Sequence, residues 1–389
     1  MNQQSSHQTL SQGMILLFAF SCGLIVSNLY YAQPLISLIA PEIKLTEAIA
    51  SFIVTLTQIG YCAGLVLLVP LGDLIENKKL ILFTIVSSII AMISAMQSHT
   101  ANTFLISSLA IGITTVAVQM LIPLAAHLSP VEKRGQTVGT IMGGLLAGIM
   151  LSRPFSSLLS HAFGWRAVFG IAATLLIILA IALFIKLPNR KPNAEHNYFS
   201  LIASLWPLLR DTPILRRRAI YQGSLFASFS LFWTIAPILL LSPLYNFTQK
   251  EVALFALAGA LGVFAAPIGG RLADKGYTTI ATGVALSLGA LAFLISYFGG
   301  KGSLTALVLS GIILDIGVQL NVVLGQRAIY TLAPEFRSRF NALYMSIFFL
   351  GGSLGSAIAS YAYLTGSWNL IAIIGFAFPA SAFVYYLKE

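Results

Sequence analysis

Twelve apolar stretches, each about the length of a bilayer crossing, leave this chain few folds to choose from. They run near residues 13–39, 48–70, 79–97, 102–127, 136–159, 166–187, 218–241, 251–270, 276–298, 303–330, 339–362 and 367–387. A helical crossing needs about 20 mostly apolar residues. Inside hydrocarbon every backbone N–H and C=O must be satisfied within the protein, so long apolar runs of this kind are read as helices. Composition agrees: 57% of the 389 residues are hydrophobic and 9% are charged, against roughly a quarter charged in soluble domains. Twelve crossings and their loops use nearly the whole length, and no sizeable soluble domain fits. The expected fold is an all-α integral membrane protein with twelve transmembrane helices.

The long connection between the sixth and seventh stretches carries PNRKPNAEHNYFS and RDTPILRRR, a polar, basic and proline-marked run. It divides six stretches from six. The expected organisation is an N-terminal bundle over 1–187, a cytoplasmic linker over 188–217 and a C-terminal bundle over 218–389. The halves echo each other. Asp73 and Asp274, Gln119 and Gln319, and Trp165 and Trp368 recur at separations of 200–203 residues. AVQMLIPLAAHLSPVEKRGQTVGTIM repeats the plan of GIILDIGVQLNVVLGQRAIYTLAPEFRSRFN, with Pro130 answering Pro334 and Arg134 answering Arg337 and Arg339. Two pseudo-symmetric six-helix bundles follow.

The formal net charge of +10 does not point to nucleic acid. Seventeen of the 22 lysines and arginines fall on one side of these crossings, which marks the cytoplasmic side and puts both termini there. The first dozen residues lack a basic region before the first apolar stretch, which is read as a retained helix. Cys22 and Cys62 lie in apolar segments without metal-ligand spacing. The five histidines are scattered, and neither H-E-x-x-H nor a Walker loop occurs. An enzyme, an ATP-driven pump and a metal or cofactor protein are therefore disfavoured.

Asp315 is the only carboxylate deep in an apolar stretch. Such a residue costs roughly 2.5–3.5 kcal/mol on insertion scales and so faces protein or water. It lies about 18 Å along its helix, near the midplane. At about 100° per residue Gln319 and Gln326 share its stripe. An acid in a partly dry wall can take up and give back a proton, and that reading is preferred over a structural acid tied to a polar neighbour or to Arg153. Arg153, about 26 Å along the fifth stretch, is read first as an arginine snorkelling to the outer surface. The second reading is a gate or a ligand for an anionic substrate. Glycines 139, 143, 144 and 148 in the same stretch suit close helix packing. Asn28, Tyr30, Tyr31 and Gln33 in the first stretch, Gln119 in the fourth, and Gln222 and Trp233 in the seventh are candidate substrate ligands, supported by Gln58. Pro34 is expected to kink the first stretch.

These features resemble the major facilitator superfamily along the whole chain, and within it the bacterial proton-coupled drug and metabolite exporters of the arabinose-efflux-permease type. The resemblance is carried by NLYYAQP at 28–34, PLGDLIENKKL at 70–80, GLLAGIMLSR at 144–153, GWRAVF at 164–169, GGRLADKG at 269–276 and DIGVQ…RSRFNALYM at 315–345. It implies a substrate site between the halves, lined by the first, fourth, seventh and tenth spans. It implies gating by Asp73, Lys78 and Lys79, by their second-half copies Asp274 and Lys275, and by the basic turns at Arg134, Arg337 and Arg339. It implies a monomer in a bacterial inner membrane, exchanging a small organic molecule for protons. Uptake by proton symport is the alternative. The chain departs from the pattern at Val69, at Ser152–Arg153 before Pro154, and in a fourth span with Ser107, Ser108 and Leu109 where many drug antiporters have arginine.

Overall fold

The computed structural model describes residues 11–130, 133–189, 197–332 and 336–389, apart from the side chains of Asp73, Arg337 and Ser338. All regular structure among the described residues is helical. The chain crosses the membrane twelve times. The first span is a helix Gln12–Ser27 followed by a shorter one, Ile36–Glu42. The second to tenth are Glu47–Gly72, Asn77–Met96, Ala101–Leu128, Arg134–Phe163, Trp165–Lys186, Pro213–Leu241, Gln249–Asp274, Thr278–Gly299 and Leu304–Tyr330. The eleventh and twelfth lie within Arg337–Tyr386, which reverses at Ser367, where φ is 52°. Large apolar side chains such as Phe20, Phe83, Ile106 and Phe184 point outward, as a lipid solvent requires. Loop-side polar residues start the helices. Thr100 and Ser303 accept from the backbone N–H three residues on, and Thr248 with Glu251 forms a capping box.

Three spans are interrupted. Pro34 was expected to kink the first span, but the helix opens six residues earlier, at Asn28. Pro34 cannot donate to the Tyr30 carbonyl, and Gln33 N–H takes that acceptor at 3.2 Å in a tighter turn. In the fourth span the helix breaks between Thr114 and Ala117. There the Thr114 and Thr115 hydroxyls donate back to the carbonyls of Ala110 and Ile111 at 2.8 and 2.7 Å, a competition that bends helices. The eighth span tightens to a 3-10 turn over Ala260–Phe264.

Glycine sets the packing of both halves. A side chain at Gly148 would run into the backbone of Gly23, joining the fifth span to the first, and one at Gly351 would run into Gly223, joining the eleventh to the seventh. A Cβ at Gly60 would meet the Leu109 backbone, second span on fourth. One at Gly262 would meet Asp315, eighth on tenth. The same pairs of spans touch in each half, through small residues that let membrane helices approach closely. The halves meet along two seams, the second span on the eleventh and the fifth on the eighth.

Gly148→Ala is expected to lower the melting temperature of the purified protein, with an overpacking cost of about 1–3 kcal/mol. Gly139→Ala, whose added Cβ meets nothing within 4 Å, is expected to leave it unchanged or raise it. Equal melting temperatures for the two variants would remove the close-approach account.

Candidate functional site

The breaks in the first and eighth spans flank a buried polar centre. Asp315, on the tenth span, is wholly buried. Its Oδ1 accepts a hydrogen bond from Trp233 Nε1 of the seventh span at 2.9 Å. Its Oδ2 has no hydrogen-bond partner. Oδ2 faces the eighth span where that span carries no side chain: a Cβ added at Gly259 would lie 3.1 Å from it.

Across the same indole stands Arg153. The sequence reading sent this side chain outward to the membrane surface, and the structure turns it inward. It is 2% exposed, and its guanidinium carbon lies 4.6 Å from the Trp233 ring centre, 4.7 Å from Phe229 and 5.3 Å from Tyr30. Depth along a helix does not fix the direction a side chain takes, and here aromatic faces and an amide replace water around the cation. Arg153 Nε donates to Gln33 Oε1 at 3.0 Å, while Nη2 has no partner. Trp233 therefore touches both groups, its in-plane N–H on the carboxyl and its face on the guanidinium. Arg153 and Asp315 interact electrostatically, but no ion pair within 4.0 Å joins them.

Around this centre the halves are tied by uncharged groups. Gln33 Nε2 donates to Thr234 Oγ1 at 3.3 Å. Gln58 Nε2 donates to Ser230 Oγ at 2.9 Å, and its Oε1 accepts from Ser356 at 3.3 Å. Further out, Thr55 and Ser356 share a hydrogen bond of 2.9 Å, and Ser51 and Ser360 each donate a backbone N–H to the other's hydroxyl, at 3.0 and 3.3 Å. Elsewhere on the seam Gln119 donates to Tyr61 at 3.0 Å and accepts from Asn341 at 2.9 Å. Cys62 Sγ donates to the Ser346 carbonyl at 3.3 Å.

Of the residues singled out in the sequence, Tyr30, Gln33, Arg153, Trp233 and Asp315 converge. Gln58 and Gln119 lie on the seam between the halves. Gln222 instead accepts from Asn321 at 2.7 Å inside the second half. Asn28 turns to Ser88 of the third span at 3.5 Å, away from the seam. Tyr31 is buried, its hydroxyl beside Ser27. Gln319 is buried and Gln326 half-buried on the face that carries Asp315. Sequence reasoning missed Phe229, Thr234, Tyr61 and Asn341, and the seam serines 51, 230, 356 and 360. The missed glycines 259 and 262 had one visible sign, a pair of small residues at helical spacing level with Asp315.

The basic turns lie apart from this centre. Asp274 pairs with Arg327 of the tenth span. Lys79 pairs with Glu76 at 3.2 Å, and Lys78 lies over the Phe184 ring at 5.1 Å. Arg134 donates to the Ala126 carbonyl at 2.7 Å and Arg339 to Ser204 at 3.0 Å. Lys275 is exposed. The side chains of Asp73 and Arg337, and Pro334 altogether, lie outside the described residues. The segment after the sixth span touches both halves, through Tyr198 to the Leu67 carbonyl at 2.9 Å and through Ser204 to Arg339.

Known proteins share this architecture. Residues 15–304 match the model of the Major Facilitator Superfamily. A protein of Escherichia coli O157:H7 described as the uncharacterized transporter YgaY is 39% identical over 366 residues, covering 94% of this chain and 93% of that protein. The Streptomyces coelicolor protein "Probable transporter SCO4007" is 28% identical over 359 residues, covering 92% of this chain and 83% of its own. Among solved structures, a bacterial homologue of the human lysosomal transporter Spinster, inward-facing and occupied, aligns at a TM-score of 0.75 with 14% identity, over 97% of this chain and 96% of that one. The nucleoside transporter NupG aligns at 0.75 with 15% identity, over 96% and 99%. At these identities the structural likeness concerns the fold alone. The family model and the YgaY likeness go further: this chain belongs to the major facilitator superfamily of membrane transporters.

Proposed function

We propose that the chain is a proton-coupled exporter of a small organic molecule in a bacterial inner membrane, with both termini cytoplasmic and Asp315 as its proton carrier. The observation that carries the reading is the state of Asp315. It is wholly buried, bonded at one oxygen by Trp233 and bare at the other. A bare charged oxygen in a dry wall is costly, so this closed arrangement suits a neutral carboxyl. Loss of the proton would leave a charge that must find a donor, and Arg153, over the indole face, makes no ion pair with it here. Protonation thus biases the halves toward one packing and deprotonation toward another, which is what a coupled transporter requires. Uptake by symport would use the same group with the opposite order of binding; the family resemblance favours export.

The seams supply the moving parts. Outside the centre their hydrogen bonds join uncharged groups, each worth about 0.5–1.5 kcal/mol net, beside side-chain packing such as Tyr61 on Phe349, and no ion pair among the described residues has to break in each cycle. The Ser51–Ser360 and Thr55–Ser356 contacts act as the outer gate. On the cytoplasmic side Asp73, Lys78, Lys79, Arg134, Asp274, Lys275, Arg337 and Arg339 govern opening. Asp274–Arg327 brackets the eighth and tenth spans so that they move as one.

The first test screens cells with and without the chain against a panel of toxic small molecules. With the compound so found, proteoliposomes driven by a pH gradient should export it, and Asp315→Asn should reduce that driven transport at least about tenfold while the amount of folded protein stays the same. Normal driven transport by this variant would end the assignment of Asp315. A second test replaces Ser51 and Ser360 with cysteine. Oxidation should lock the outer seam and stop transport, and a reductant should restore it. Undiminished transport by the cross-linked protein would show that this seam does not open.

A further inference from the structure

Once Asp315 has given up its proton, the centre contains two unmet demands of opposite sign. Arg153 Nη2 is a donor without an acceptor, and Asp315 Oδ2 is an acceptor without a donor. Both belong to side chains at least nine-tenths buried. They meet on one ring, Arg153 Cζ over its face at 4.6 Å from the Trp233 ring centre and Asp315 Oδ1 at its edge, 2.9 Å from Trp233 Nε1. Tyr30 and Phe229 complete an aromatic wall on the Arg153 side, and Gly259 leaves the backbone bare beside Asp315 Oδ2.

A ligand class can be chosen by asking which chemistry satisfies both atoms. An anion would complete Arg153 and bring a second negative charge near Asp315. A cation would complete Asp315 and lie near an uncompensated guanidinium. A neutral molecule could bond each group but would leave both charges uncompensated. Each of these leaves a buried charge without its counterpart, which is expensive. Only a molecule carrying both signs a few ångströms apart completes the pair.

We propose that the substrate class is a small zwitterion with an apolar side chain, of the α-amino acid type. Its carboxylate accepts from Arg153 Nη2, its ammonium donates to Asp315 Oδ2, and its side chain lies on Tyr30, Phe229 and Trp233. The indole now touches both groups, by its edge and its face, and its withdrawal from Asp315 would open one volume to both. The proposal rests on Asp315 as the proton carrier, because an ammonium and a proton are then alternatives on the same oxygen. That exclusion is itself a mechanism for antiport.

The test uses purified full-length protein in detergent at one fixed pH. Binding of phenylalanine and leucine is measured by calorimetry beside their methyl esters, which lose the negative charge, and their N-acetyl forms, which lose the positive one. The free amino acids should bind at least about tenfold more tightly than either blocked form, a difference of about 1.4 kcal/mol. Arg153→Gln should erase the preference over the ester and keep the preference over the N-acetyl form. Asp315→Asn should do the reverse, which a general loss of structure would not. Equal binding of either blocked form by the unmodified protein overturns the proposal, as does absence of binding by both free amino acids at millimolar concentration. No gradient enters this measurement, so its failure leaves the driven-transport test of Asp315 untouched, and failure of that test leaves this selectivity standing.

Discussion

One indole touches both a buried carboxyl and a buried guanidinium, and the rest of the centre is arranged around that shared contact. Trp233 holds Asp315 by its N–H and Arg153 by its face. Had the two met directly, they would have formed a dry ion pair with little reason to part. Left unpaired with each other, each retains an atom without a hydrogen-bond partner. The glycines at 259 and 262 let the eighth span close over Asp315, and Gln33 steadies Arg153 while reaching Thr234 in the other half. A change in the occupancy of the centre is therefore felt at once by the first, fifth, seventh, eighth and tenth spans.

The scaffold is duplicated and the chemistry is not. Glycine contacts join the first span to the fifth and the second to the fourth, and the same contacts recur as seventh to eleventh and eighth to tenth. On this repeated frame the residues at equivalent registers have diverged. The offset that relates Gln119 to Gln319 sets Gln33 against Trp233 and Thr115 against Asp315. Thr115 lies where the fourth span breaks, while the tenth span is unbroken through Asp315. One half bends where the other carries the acid. Equivalent positions thus serve flexibility on one side and charge on the other.

Much of this was legible in the amino-acid order because a bilayer restricts what can be written. Twelve apolar runs have one helical reading, and a carboxylate within one of them stands out by its cost. Asp315, Trp233 and Gln33 were visible for that reason. Arg153 was visible as a residue but not in its direction, since helical rise fixes its depth and the aromatic rings that receive it come from other spans. Gln58 and Gln119 stood out as amides in apolar runs. Their partners Ser230, Ser356 and Tyr61 did not, because serine and tyrosine are unremarkable in membrane helices. The break at Thr114 and Thr115 was hidden for a related reason: back-bonding hydroxyls alter the helix without altering its hydropathy. Asn28 looked like its neighbours Tyr30 and Gln33, yet the turn that opens at that residue points it to the third span.

The confinement of the acid to one half has an electrical consequence. A zwitterion carries no net charge, so on the mechanism proposed above trading one outward for one proton inward would move a single positive charge across the membrane in each turnover. Had Thr115 been a second acid, two protons would move and the work extracted from the membrane would double. With Asp315 as the one proton carrier, voltage and proton concentration would contribute to the drive in equal proportion, and the uphill accumulation would be limited to that of one proton falling through both.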